Sequence, residues 1–186
     1  MPSIRAFLAL PADDHVVQRI GNVQRALQDA HADVRWESLD KVHITLKFLG
    51  ETSHETLIKL AEQLESILRS FHPFEITYVG VGVFPSSSHP RIIWVGTEPN
   101  DLLISMQTSI ENSCQVLGFK KEDRPFHPHV TIGRVKSGRN IHRLTDKLKS
   151  ITFEPIKSLC SGVHIMQSQL LPTGSRYSVL KTISLT

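Results

Sequence analysis

The chain has 186 residues, with 21 Lys and Arg against 18 Asp and Glu, a formal net charge of +3 and 40% hydrophobic residues. Those values exclude a disordered, collagenous or long coiled-coil chain, and no run of 18 apolar residues is present to span a bilayer as a helix. One domain with a core of its own, needing no disulfide or metal staple, is expected.

Along the chain, Ile4–Leu10 reads as a strand. Pro11 and Asp13-Asp14 open a helix at its favoured end, with Val16, Val17, Ile20, Val23 and Leu27 at helical spacing. Val34-Arg35-Trp36 is a short extended piece. Val42–Leu49 is a strand stopped by Gly50, and Ser53 caps the next helix, whose stripe is Leu57, Leu60, Ala61, Leu64, Ile67 and Leu68. Phe74–Phe84 alternates as a strand, Pro85–Pro90 is a polar loop, and Arg91–Val95 is a strand. Asn100 caps a helix carrying Leu103, Met106, Ile110 and Leu117, ended by Gly118. Phe126–Gly133 is read as a strand and Ile141–Leu148 as a short helix, with strands at Ser150–Pro155, Val163–Leu170 and Arg176–Ile183.

Cys114 and Cys160 are isolated thiols, the usage of a reducing compartment rather than of a disulfide framework. The apolar start, Ile4–Leu10, is too short for a signal peptide. A cytoplasmic monomer without a membrane partner is expected. Arg134, Lys136, Arg139, Arg143, Lys147 and Lys149 face only Asp146 within their stretch. That stretch is either a phosphate-biased surface or a solvated helix face with its loop.

An internal repeat carries more weight than any single element. Arg5-Ala-Phe-Leu-Ala-Leu10 resembles Arg91-Ile-Ile-Trp-Val-Gly96, and His43-Ile-Thr-Leu46 resembles His129-Val-Thr-Ile132, both at an offset of 86. Two similar lobes facing each other across a pseudo-two-fold axis would bring equivalent strands together.

Strand alternation puts His43, Thr45 and Lys47 on one face and Ile44, Leu46 and Phe48 on the other. His129 and Thr131 likewise share a face, with His127 just before them. A pair of imidazoles suits phosphodiester chemistry, because neutral and protonated rings coexist near neutrality. One takes a proton from the attacking oxygen and the other gives one to the leaving oxygen, from opposite sides of phosphorus. The hydroxyls of Thr45 and Thr131 could donate to non-bridging oxygens. Lys47 either touches a nucleic-acid backbone or is solvated. Phe126 could stack on a base, whereas Phe48 and Phe84 are expected in the core. Arg134 lies on the far face by strict alternation unless the strand twists at Gly133, and is either a phosphate clamp or an orienting residue. Zinc on His43, His127 and His129 is a competing reading. The first copy, however, has neither His nor carboxylate at the position matching His127. No metal or other cofactor is expected, and His127 is read as a rim residue.

His43-Ile-Thr-Leu-Lys-Phe-Leu-Gly50 and Arg124-Pro-Phe-His-Pro-His-Val-Thr-Ile-Gly-Arg134 resemble the two signatures of the 2H phosphoesterase superfamily. They are closest to its RNA 2′,3′-cyclic phosphodiesterase branch, also described as 2′-5′ RNA ligase. Arg35-Trp36, Gly82-Val-Phe84-Pro85, Arg91-Ile-Ile-Trp94 and Leu171-Pro-Thr-Gly174-Ser-Arg-Tyr177 extend the likeness over nearly the whole chain. The resemblance implies a bilobal α+β fold around a central cleft. It also implies hydrolysis of an RNA 2′,3′-cyclic phosphate end to a 2′-phosphomonoester. His43 would be the proton donor, His129 the acceptor, and Thr45 and Thr131 the phosphate holders. The alternatives are joining of such ends to 5′-hydroxyl RNA, for example between tRNA fragments, and a phosphate- or RNA-binding module without turnover. Turnover at a two-imidazole site is expected to survive a strong chelator. Loss of activity that added zinc restores would instead make His43, His127 and His129 ligands.

Overall fold

The computed structural model describes residues 3–172 and 174–186; Met1, Pro2 and Thr173 of the Leu171–Tyr177 ending lie outside the described residues. The strands are β1 (Ser3–Pro11), β2 (Val34–Trp36), β3 (His43–Ser53), β4 (Phe74–Phe84), β5 (Ile92–Thr97), β6 (His129–Val135), β7 (Ile156–Cys160), β8 (Gly162–Leu171) and β9 (Gly174–Ser184). The helices are α1 (Asp14–Gln28), α2 (His54–Leu68), α3 (Asp101–Val116) and α4 (Ile141–Ser150), with one 3₁₀ turn at Leu39–Lys41. The expected caps form: Ser53 Oγ accepts from Thr56 N at 3.1 Å, and Asn100 Oδ1 accepts from Leu103 N at 2.9 Å.

One antiparallel sheet runs β7-β4-β5-β6-β3-β1-β8-β9, and β2 lies along β6. Its halves, β7-β4-β5-β6 and β3-β1-β8-β9, meet at a single rung, Ile44 opposite Val130. These two residues are equivalent in the repeat at the 86-residue offset. An antiparallel rung between equivalent residues is what a two-fold axis through that rung produces. Both side chains are fully buried against the helical layer.

The helices exchange sides. α1 leaves β1 but packs on β6 and β7 of the opposite half, and α3 leaves β5 but packs on β3 and α2. His15 Nε2 meets the Lys157 carbonyl at 2.6 Å, and Gln107 Nε2 donates to the Leu46 carbonyl at 3.3 Å, which fixes each crossing helix to its adopted strand.

Several expected boundaries are corrected. β3 does not stop at Gly50: that residue, at φ +70°, lies at a register shift against β1, so the strand bends and continues to Ser53. Residues 126–128 are not strand, because β6 begins only after Pro128, which has no N–H to donate to a ladder. The strand expected at Ser150–Pro155 is displaced to Ile156–Cys160, since α4 extends through Ser150 and Pro155 precedes the ladder with β4. The offset between β1 and β5 is 85 rather than 86: Leu10 opposes Ile44 while Val95 opposes Val130. With 86, the buried Leu8 would match Trp94, which lies on the other face.

The largest correction concerns strand phase. β1 steps from Leu8–Lys47 to Ala9–Thr45, and β5 steps from Ile93–Gly133 to Trp94–Thr131. An extra residue, Leu46 in one copy and Ile132 in the other, is therefore accommodated by equivalent bulges. Beyond each bulge the faces invert. Lys47 turns inward, 2% exposed, and Phe48 turns outward, 64% exposed; the expectations of Lys47 in phase with His43 and of Phe48 in the core are both overturned. Lys47 Nζ lies 2.7 Å from Glu111 Oε1 on α3 and also donates to the Lys120 carbonyl. It is a buried structural cation, not presented to a nucleic-acid backbone.

Removing one partner of a buried ion pair strands the other charge. Lys47→Ala is expected to lower unfolding free energy by about 3 to 5 kcal/mol, whereas the double change Lys47→Met with Glu111→Leu should lower it much less. Urea unfolding of the three proteins checks this, and wild-type stability in Lys47→Ala would remove the pair from this role.

Candidate active site

His43 and His129 stand at the first positions of β3 and β6. Ile44 and Val130 point into the core, so the residues on either side of each point the other way. His43, Thr45, His129 and Thr131 therefore share one face around the two-fold rung, the face opposite the helices. In that register His43 lies across from Thr131 and His129 across from Thr45.

Both rings are oriented alike. His43 Nδ1 is 2.6 Å from the Lys41 carbonyl and His129 Nδ1 is 2.7 Å from the His127 carbonyl. A carbonyl only accepts, so each Nδ1 carries a hydrogen and donates it. The proton that each ring can exchange is then on Nε2. His43 Nε2 lies 3.1 Å from Thr45 Oγ1.

Aromatic rings wall both sites. The His43 ring packs on Phe7 at 5.1 Å and Tyr177 at 5.6 Å between centroids. The His129 ring packs on Phe84 at 5.2 Å, and His127 extends this group to Phe84 at 5.6 Å and Trp94 at 5.7 Å. Phe84 is thus part of this wall rather than of the core. Gly82 is required beneath it: a Cβ there would sit 2.2 Å from the Trp94 ring.

Burial pushes the His43 imidazole below its ordinary value, opposed by its bond to the Lys41 carbonyl and by the Glu37 charge, and reinforced by His129. Burial likewise pushes His129 down. Its bond to the His127 carbonyl opposes this, and the charges of His127 and Arg134 add to it. The two rings flank the same Ile44–Val130 rung on one face of the sheet.

The bulge at Ile132 returns Arg134 to the face of His129, so strict alternation fails there. Arg134 Nε donates to Glu37 Oε1 at 2.9 Å. Phe126 is partly buried, one side packed on the core. His127 is exposed at the edge of the aromatic wall. Burial raises the thiols of Cys114 and Cys160 to about 12 and about 11, far from reactive thiolates. Among the described residues, no three His, Cys, Asp or Glu side chains group as metal ligands, and no helix is long and apolar enough to cross a membrane.

Glu37 is not legible as a site residue in the sequence: its only cue is its position directly after Arg35-Trp36. Phe7 and Trp94 are legible through parity, since each alternates with core residues, Leu8 for one and Ile93 and Val95 for the other.

Residues 12–170 match the family described as the 2′-5′ RNA ligase superfamily. An RNA 2′,3′-cyclic phosphodiesterase of Methanothermobacter thermautotrophicus is 32% identical over 183 residues, 98% of this chain and 99% of the relative. One from Methanocaldococcus jannaschii is 34% identical over 181 residues, 96% of this chain and 99% of the relative. A Thermus thermophilus crystal structure superposes with a TM-score of 0.81 at 24% identity, covering 97% of each chain, a likeness of fold. The expected bilobal α+β architecture, with pseudo-symmetric antiparallel lobes and outer helices, is the architecture found.

The folded state favours neutral rings at His43 and His129, whereas the unfolded chain takes up protons near the ordinary histidine value of 6.5. The unfolded state therefore binds more protons as pH falls through that value, and stability falls with it. The thermal midpoint should drop between about pH 7.5 and about pH 5.5, with a shallower slope in His43→Gln. An unchanged slope would mean that His43 is not held neutral by the fold.

Proposed function

The chain belongs to the 2′-5′ RNA ligase superfamily and, within it, to the RNA 2′,3′-cyclic phosphodiesterase family; on that premise we propose that it opens terminal RNA 2′,3′-cyclic phosphates to 2′-phosphomonoesters by two-histidine acid–base catalysis. The observation that carries the reading is the matched pair of imidazoles around the Ile44–Val130 rung, each with Nδ1 occupied by a carbonyl and Nε2 left to exchange a proton.

The chemistry balances with these groups alone. His129 Nε2 accepts a proton from water as its oxygen bonds phosphorus. The P–O3′ bond breaks, and His43 Nε2 protonates the departing O3′. One ring must begin neutral and the other charged, and solvent returns the proton afterwards. Thr131 and Thr45 supply hydroxyl donors to the non-bridging oxygens. Thr45 already sits within hydrogen-bond distance of His43 Nε2, so one phosphate oxygen can meet both. With a 5′-hydroxyl in place of water, the same groups run the joining reaction that the superfamily's name describes. tRNA fragments are the proposed source of such ends. A monomer is the proposed active form, since both rings come from one chain. The free buried thiols suit the reducing cytoplasm.

With an oligoribonucleotide ending in a 2′,3′-cyclic phosphate, a 2′-phosphate product and a bell-shaped pH profile are expected. His43→Ala and His129→Ala should each lower kcat/KM by roughly 10² to 10⁴ while circular dichroism stays unchanged. A 3′-phosphate product would overturn the assignment of His43 to the leaving oxygen, and full activity in either variant would end the mechanism.

A further inference from the structure

The two histidines are alike in orientation, yet acid–base catalysis needs them unlike in protonation. We propose that the Glu37–Arg134 ion pair makes this difference, Glu37 acting as the positioning residue that biases His43 toward its charged form relative to His129 while Arg134 biases His129 the other way. The proposal rests on the two-histidine reading above.

The pair is placed by β6. Along one edge of that strand, β2 pairs Trp36 with Gly133, and Glu37 N donates to the Ile132 carbonyl at 3.0 Å. Along the same edge, β3 pairs Ile44 with Val130. Glu37 therefore adjoins Ile132, and His43 adjoins the next residue, Thr131, the chain between them being taken up by the Leu39–Lys41 turn. Gln24 of α1, 6% exposed, donates to both the Glu37 carbonyl at 2.7 Å and the Ile132 carbonyl at 2.9 Å. The Glu37 side chain is only 16% exposed and meets Arg134 Nε at 2.9 Å. A carboxylate fixed one residue along β6 from an imidazole favours the charged ring, and a guanidinium disfavours it.

The second copy has no such pair. The repeat position of Glu37 is Asp123, exposed and bonded to Lys120 at 3.1 Å in the loop before β6. The repeat position of Arg134 is Phe48. The ion pair thus breaks the electrostatic equivalence of the duplicated strands on the open face, as Lys47 opposite the repeat position Gly133 does on the buried one. The other groups facing His43 are Phe7 of β1, Tyr177 of β9 with Lys41 Nζ 5.9 Å from its centroid, and His129. Those facing His129 are Phe84 of β4 and His127, backed by Trp94 of β5. From its place beside Ile132, one residue along β6 from Thr131, the Glu37 charge favours a protonated His43.

The test is a site-resolved NMR titration of both imidazoles in the substrate-free wild type, Glu37→Gln and Arg134→Gln, paired with kcat/KM profiles on a 2′,3′-cyclic phosphate oligoribonucleotide. In Glu37→Gln the His43 midpoint should move down, and His129 should not rise. The alkaline limb of the rate profile, which reports loss of the donor's proton, should move to lower pH, with roughly a three- to tenfold loss on that limb and little change in KM. Glu37→Asp should restore part of it. In Arg134→Gln the His129 midpoint should rise, which keeps the proposal testable if Glu37→Gln fails to fold. An unmoved His43 midpoint in a folded, active Glu37→Gln protein overturns the inference. An inactive wild type whose His43 midpoint still depends on Glu37 would overturn the proposed activity and leave the electrostatic role standing.

Discussion

The geometry of the site depends on one rung of backbone pairing. Ile44 and Val130 oppose each other across the junction of two half-sheets, and both are fully buried. Shifting that pairing by one residue would send the histidines and threonines to the helix side and the aliphatic residues to the open side. Burial of two β-branched residues at the junction therefore holds both imidazoles on the open face. The same burial keeps the sheet continuous from β7 to β9, so the two histidine-bearing strands form one surface.

What is readable in the chain, and what is not, divides at the bulges. Up to Thr45 and Thr131, simple alternation assigns every side chain to the face it occupies. Past Leu46 and Ile132 the assignment inverts, and Lys47, Phe48 and Arg134 all land opposite to strict alternation. A bulge has no composition of its own here: Leu46 and Ile132 are ordinary strand residues. A lysine expected either to touch a nucleic-acid backbone or to be solvated has its partner, Glu111, on a helix 64 residues away, and no local pattern announces such a pair. The helices are far easier to read, because their caps and apolar stripes are contained within each segment. The 85-residue spacing of β1 and β5 is also hidden, since two short apolar strands align almost equally well one residue apart.

Symmetry supplies the pair of rings, and departures from it supply their difference. Lys41 and His127 occupy matching positions and use matching carbonyls to hold Nδ1. The walls differ, with Phe7 and Tyr177 on one side and Phe84, Trp94 and His127 on the other. The positions after the bulges differ too, an exposed phenyl in one lobe and a paired guanidinium in the other. A duplicated scaffold thus keeps the backbone equivalence of β3 and β6 while side chains diverge on both faces, Phe48 against Arg134 on the open side and the buried Lys47 against Gly133 on the helix side.

The exchange of α1 and α3 between the half-sheets has a mechanical corollary. Each half-sheet is covered in part by a helix whose sequence belongs to the other repeat, so either repeat, excised, would lose one of the helices that cover its strands. The lobes are braced like two interlocked hands rather than joined at a hinge. The open face that carries both histidines is therefore backed by packing that runs across both half-sheets, and the two lobes form one body.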